Sequence, residues 1–120
     1  MLPSDDSWRT EETDELFEAI LRLETRDEAE RFFRDLCTLG ELHDMAQRWA
    51  VVRMLDDHLH YADISKRTGA STATITRIAS WLNHGEGGYR LMLERTRTAR
   101  KSKTAKAEAG PATADRAASR

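Results

Sequence analysis

The stretch Tyr61-Ala-Asp-Ile-Ser-Lys-Arg-Thr-Gly-Ala-Ser-Thr-Ala-Thr-Ile-Thr-Arg-Ile-Ala-Ser-Trp-Leu82 reads as two helices closed on each other by a tight turn. Tyr61, Ile64 and Thr68 recur at helical spacing, which half-buries one stripe of the first helix and leaves Asp63, Lys66 and Arg67 in water. Gly69 ends that helix, because a residue without Cβ enters the left-handed conformation at no steric cost. Ser71 restarts the chain as an N-cap, its hydroxyl placed to accept from amides of the next turn. Ile75, Ile78 and Leu82 then fall on the inner face of the second helix. Its other face carries Thr72, Ala73, Thr74, Thr76, Arg77 and Ser80.

Two short helices joined through a Gly-containing turn form a helix-turn-helix, whose second helix enters the DNA major groove. The outer face suits that task. Short hydroxyl side chains permit close approach to a duplex, Arg pairs with phosphate or guanine, and an Ala or Thr methyl can touch a thymine methyl. From Ile64 to Gly85 the charged residues are Lys66, Arg67 and Arg77, with no carboxylate, in a chain that has 21 acidic residues. A plain hairpin with merely solvated hydroxyls is the competing reading. Ser and Thr are poor helix formers, so a run of them on an exposed face needs a reason, and double-stranded DNA supplies one. The expected contacts are Thr72, Ala73, Thr74, Thr76, Arg77 and Ser80 in the groove, with Ser71 capping and Lys66 and Arg67 on the phosphate backbone.

These residues also carry a family likeness. Gly69 to Arg77 resembles the turn and recognition helix of the Trp repressor superfamily, and Ala73-Thr-Ile-Thr-Arg77 is its most specific piece. Asp35-Leu-Cys-Thr38, Ala46-Gln-Arg48, Trp81-Leu-Asn-His-Gly85 and Gly88-Tyr89 look more like the YerC/YecD type of Trp-repressor-related protein than the repressor itself. The resemblance covers about residues 14 to 97. It implies an all-α, Trp-repressor-like domain with a central helix-turn-helix, assembled as an intertwined homodimer whose two hairpins meet one operator.

The bulk composition is compatible with that expectation. A chain of 120 residues with 39% hydrophobic content supports one modest core, and oligomerisation would add burial. The net charge of −2 conceals an uneven distribution: residues 1–30 hold eleven carboxylates against Arg9, Arg22 and Arg26, whereas residues 90–120 hold nine basic and three acidic groups. DNA binding depends on the local face, so a neutral average does not argue against it. Cys37 is the single cysteine and reads as a small buried filler. No export signal and no apolar run of membrane-spanning length is present, which points to a cytoplasmic protein with no membrane partner.

Along the chain, residues 1–9 read as a flexible leader, 10–98 as the helical domain and 99–120 as a disordered basic tail. A first helix is expected from about Glu11 to Glu24, with Leu16, Phe17, Ile20 and Leu23 as its stripe. Thr25-Arg-Asp-Glu28 has the form of a capping box opening a second helix, lined by Ala29, Phe32, Phe33 and Leu36 and ending before Gly40. A third, from about Glu41 to His58, buries Leu42, Met45, Ala46, Trp49, Val52 and Leu55 or Met54. Arg48 and Arg53 are candidates for phosphate contact or for pairing with Asp44, Asp56 or Asp57. Asn83 to Gly88 is a loop, and a last helix runs from there to about Arg97.

Nothing in the sequence resembles an active site. His58 and His60 stand two apart, without a Cys pair or a His-Glu-x-x-His arrangement, so neither a metal nor another cofactor is expected. No nucleophile turn or Gly-rich strand-to-helix junction appears. The reading is therefore a dimeric, sequence-specific transcriptional regulator, not an enzyme. The alternative is a helical adaptor that keeps the hairpin as scaffold and holds a protein partner through its acidic N-terminal face or basic tail.

Two departures from the resemblance bear on its effector. In the tryptophan-responsive repressor, the corepressor lies between an Arg on the long helix and the Arg ending the recognition motif, where an adjacent Gly leaves room for the indole. Here Arg77 stands at the second position, but an ungapped count puts Gln47 at the first and Ile78 in place of the Gly. An amide does not supply the charge-assisted fork that grips a carboxylate, and a branched side chain fills the space. The sequence therefore predicts that tryptophan is not an effector and leaves any other effector unidentified. Calorimetric titration with tryptophan is expected to give no saturable heat at micromolar concentrations.

Overall fold

In a computed structural model the chain is described from residue 6 to residue 109, with side chains through Lys101. These residues form six helices and no strand: α1 (Glu11–Leu21), α2 (Arg26–Leu36), α3 (Leu39–Asp56), α4 (Tyr61–Thr68), α5 (Thr72–His84) and α6 (Gly88–Ala109). The described residues are thus all-α, as expected. No helix among them is long and apolar enough to cross a membrane. The chain divides into two compact units, one ending at Met45 and the other beginning at Ala46.

The first unit is held by local chemistry. Thr10 caps α1 by accepting from the Thr13 amide, and the Thr13 hydroxyl accepts from the Thr10 amide in return. Part of the expected leader is thus ordered: Trp8 meets Phe17 edge-on at 6.4 Å, and the Arg9 guanidinium lies 4.4 Å from the Trp8 ring centroid. Residues 1–5 lie outside the described residues. α1 closes at Leu21, earlier than expected, because Thr25 must be extended to cap α2. The predicted box there is only half made. Thr25 accepts from the Glu28 amide, but Glu28 Oε1 accepts from the Glu24 amide.

A complete box occurs one helix later. The Glu41 amide donates to Thr38 Oγ1 at 3.1 Å, and the Thr38 amide to Glu41 Oε1 at 2.9 Å. Gly40 therefore sits inside the first turn of α3 instead of stopping the chain, since capping offsets its propensity cost of about 1 kcal/mol. None of the described residues of the first unit is buried. Of the predicted apolar stripe Leu16, Ile20 and Leu23 are half-buried and Phe17 is 48% exposed, while Leu21, outside that stripe, is 73% exposed.

The second unit has a core of Val51, Val52, Ile64, Ala70, Ile75, Ile78, Leu82 and Leu93. Trp49, Met54, Leu55, Leu59 and Tyr89 pack against it. Val51 was not anticipated, and its burial beside Val52 means that α3 is covered over a wide arc at this level. Ala46 and Met45, expected inside, are exposed. Asp56 pairs with Arg97, 2.5 Å away on α6, instead of with Arg48 or Arg53. That hydrogen bond, together with the carboxylate charge, raises the Arg97 pKa above its ordinary value.

α5 runs two residues beyond Leu82 and ends at Gly85, where a Cβ would lie 2.4 Å from the Trp81 carbonyl oxygen. α6 continues to Ala109 instead of stopping near Arg97, covering the first part of the stretch expected to be disordered. Its Ala, Lys, Arg and Glu content explains the extension, for these are strong helix formers even with nothing to bury. The rest of the expected tail, 110–120, lies outside the described residues.

Gly69 has φ of +79°, and the nearest atom that a Cβ there would meet is Gln47 Nε2 at 3.8 Å. The site is thus restricted by backbone conformation and not by space. Gly69→Ala is expected to lower the unfolding free energy by about 1–2 kcal/mol, measured by urea denaturation, and Gly69→Asn to lose less.

Candidate nucleic-acid interface

α4 and α5 are short helices whose relation is set at the turn Thr68–Ser71. Gly69 adopts the left-handed conformation and its amide donates to Ser65 O at 2.8 Å. Thr68 ties both ends of the turn, its hydroxyl donating to Ile64 O at 2.8 Å and accepting from the Ala70 amide at 3.1 Å. Ala70 is buried. Ser71 then caps α5, with Oγ accepting from the Thr74 amide at 3.1 Å.

With Ile75, Ile78 and Leu82 buried, the helical period turns the rest of α5 outward. Ser71, Thr72, Ala73, Thr76, Arg77 and Ser80 are exposed, as are Lys66 and Arg67 on α4. Thr74 is the exception. It is half-buried, and its hydroxyl accepts from Ser71 Oγ at 3.0 Å and from Arg77 Nη2 at 3.2 Å. The Thr76 proton is also committed, donated to Thr72 O at 2.9 Å, so this hydroxyl offers acceptor capacity outward. Thr74 thus organises the ridge, connecting the cap to the Arg77 guanidinium.

The ridge differs in charge from the acidic N-terminal region. Arg9, Arg22, Arg26, Arg31 and Arg97 are each within 4 Å of a carboxylate. Among the described residues, Lys66, Arg67 and Arg77 make no ion pair. A guanidinium has five donors, and Arg77 uses one bond of 3.2 Å, leaving the others for a phosphate or a guanine edge. No group of three or more His, Cys, Asp or Glu that could hold a metal occurs among the described residues.

One residue the sequence reading assigned only by alignment takes a defined place. Gln47, half-buried on α3, donates from Nε2 to Thr68 O at 2.9 Å. Ile78, at the position beside Arg77, is 1% exposed within the core. Away from the ridge lies an open groove of about 800 Å³, lined by Trp49, Trp81, Glu86, Tyr89, Met92 and Thr96 with the glycines of the α5–α6 loop. Trp81 in it is 51% exposed. Residue type marks Trp49, Trp81, Tyr89 and Met92 as largely apolar but carries no information on whether one chain covers them.

Residues 11–97 match the family model described as Trp repressor protein. The chain is 46% identical over 92 residues to YerC of Bacillus subtilis (strain 168), an uncharacterized protein, covering 77% of this chain and 88% of that one. A crystallised TrpR-like protein from Eubacterium eligens ATCC 27750 superposes with a TM-score of 0.73 at 44% identity, over 77% of this chain and 95% of its own. A crystal structure from Staphylococcus aureus gives the same TM-score at 42% identity, over 77% and 92% of the two chains.

The Ser71 hydroxyl serves both the Thr74 amide and the Thr74 side chain. Ser71→Ala is expected to cost about 1 kcal/mol of stability and Ser71→Gly only a few tenths, measured by thermal melts of the two variants beside the unaltered chain.

Proposed function

The chain belongs to the Trp repressor family, and from that premise we propose that it is a cytoplasmic transcriptional regulator binding double-stranded DNA sequence-specifically as a homodimer. The observation that carries the proposal is the exposed ridge within Ile64 to Gly85, a stretch free of carboxylates whose three cations, Lys66, Arg67 and Arg77, make no ion pair among the described residues. A helix in the major groove reads base edges with its outward side chains, while flanking cations contact phosphates. Thr72, Ala73, Thr76, Arg77 and Ser80 take the first role, with Thr74 holding Arg77 and Ser71 capping the helix. Lys66 and Arg67 take the second.

Dimerisation has separate support. None of the described residues of the first unit is fully buried, and the second leaves Trp81, Leu91 and Met92 about half exposed. A second copy is the partner that would remove these surfaces from water, at roughly 25 cal/mol per Å² of apolar area. A two-fold assembly reads a two-fold operator with half-sites about 34 Å apart.

The protein works without tryptophan. One N–H of the Gln47 amide is donated to the hairpin at Thr68 O, and Ile78 belongs to the core. These observations support ligand-free DNA binding over corepressor-dependent binding.

Fluorescence anisotropy against duplexes selected from a random pool tests the reading. Sequence-selective binding is expected, with Arg77→Ala weaker by about 1–3 kcal/mol on the selected site. Lys66→Ala should weaken all duplexes alike and lower the salt slope by about 1. An Arg77→Ala variant that binds as tightly as the unaltered chain would remove that residue from the interface. Weak, unselective binding abolished by salt would instead favour the adaptor reading.

A further inference from the structure

The proposed DNA binding requires α5 to be presented at a constant angle, so the question is what holds the hairpin turn to the rest of the second unit. α4 ends at Thr68, and the final carbonyls of a helix have no partner inside it. Thr68 O receives Gln47 Nε2, from α3, at 2.9 Å in a part-buried setting. Among the described residues this is the one side-chain hydrogen bond running from α3 to α4, α5 or their turn. The bonds of Thr68 and Ser71 shape the turn internally but do not attach it to α3.

Gln47 also stands in the right register. It precedes Val51 by one helical turn, so the two share a face of α3, and Val51 is fully buried in the cluster containing Ile64 and Ile75. Val51 supplies a non-directional apolar anchor. Gln47 supplies a directional one beside it, on the carbonyl just before the left-handed Gly69. An apolar contact permits small sliding, whereas a hydrogen bond restricts both distance and angle.

We propose that Gln47 is a built-in brace that orients the recognition helix, so that the hairpin is set for DNA without any small-molecule effector. The inference rests on the DNA-binding reading for its consequence and on the Gln47–Thr68 geometry for its substance. The brace is a neutral amide, so it holds across the physiological pH range and needs no anion. Gln47 is a positioning residue, and it touches no DNA.

The test uses the full chain with Gln47→Met, which has similar length and no donor, and Gln47→Glu, which sets a carboxylate oxygen against the carbonyl. Amide hydrogen exchange at residues 68–71 is measured without DNA. Affinity and salt slope are measured on the duplex selected by the unaltered protein. Faster exchange at Gly69 and Ala70 is expected in both variants, with affinity lower by roughly two- to tenfold for Gln47→Met and lower still for Gln47→Glu. The salt slope should stay constant, because no phosphate contact is removed. Unchanged exchange in both variants overturns the brace, whether or not the unaltered protein selects DNA. Unchanged affinity with faster exchange overturns its role in orientation, and unfolding of both variants assigns Gln47 to the fold instead. Failure of the unaltered protein to select any duplex overturns the DNA-binding reading alone, and the exchange result still decides the brace.

Discussion

The second unit depends on a small aliphatic cluster in which Val51 and Val52 of α3 meet Ile64 of α4 and Ile75 and Ile78 of α5, all at most 1% exposed. Burying a side chain of this size stabilises by about 1.5–3 kcal/mol. The Thr residues on the outer side of α5 each cost at most about 0.7 kcal/mol in helix propensity. Burial wins, and α5 stays helical despite an outer face of poor helix formers. β-Branched side chains have few rotamers, which keeps the cluster, and the ridge behind it, in one arrangement.

The first unit shows what local bonds achieve without such a cluster. α1 and α2 carry side-chain caps at Thr10 and Thr25 and i,i+4 ion pairs of Glu18 with Arg22, Asp27 with Arg31 and Arg26 with Glu30. Exposed helical ion pairs contribute about 0.3–0.5 kcal/mol each, too little to replace a core. Phe32 and Phe33 touch edge-on at 5.5 Å and are only half-buried. On the dimeric reading, the apolar stripes of this unit are interface in waiting and not poorly packed interior.

Charge is distributed on the same logic. In the acidic N-terminal region Arg9, Arg22, Arg26 and Arg31 are paired, whereas from Ile64 to Gly85 there is no carboxylate for a cation to pair with. Exposed charges on such a ridge are valuable to a polyanion, since a local positive face attracts phosphate even when the whole chain is nearly neutral. The amide of Gln47 belongs beside this arrangement. It holds the turn without adding a charge that would alter the face presented.

Much of this was legible in the chain itself, because some residues carry their structural consequence in their own chemistry. A left-handed Gly69, a capping Ser71, and Ile75, Ile78 and Leu82 at helical spacing determined the hairpin and which side of α5 faces outward. Thr38-Leu-Gly-Glu41 has the same box spacing as Thr25-Arg-Asp-Glu28, but a reading that takes Gly40 as a stop misses it, and the structure shows it complete. Other features required the tertiary structure. Periodicity ranks Val51 no higher than its neighbours, and only the approach of α4 and α5 buries it. The donation of Gln47 to Thr68, 21 residues away, and the pairing of Arg97 with Asp56, 41 away, arise from chain reversals that no local pattern encodes. The sequence by itself determined the helices, the turn and the chemistry of the ridge, for those follow from dihedral preference and side-chain type. Only the tertiary structure decided which polar groups are already occupied and which remain to meet a partner, because hydrogen bonds between distant residues depend on where the packed helices bring them.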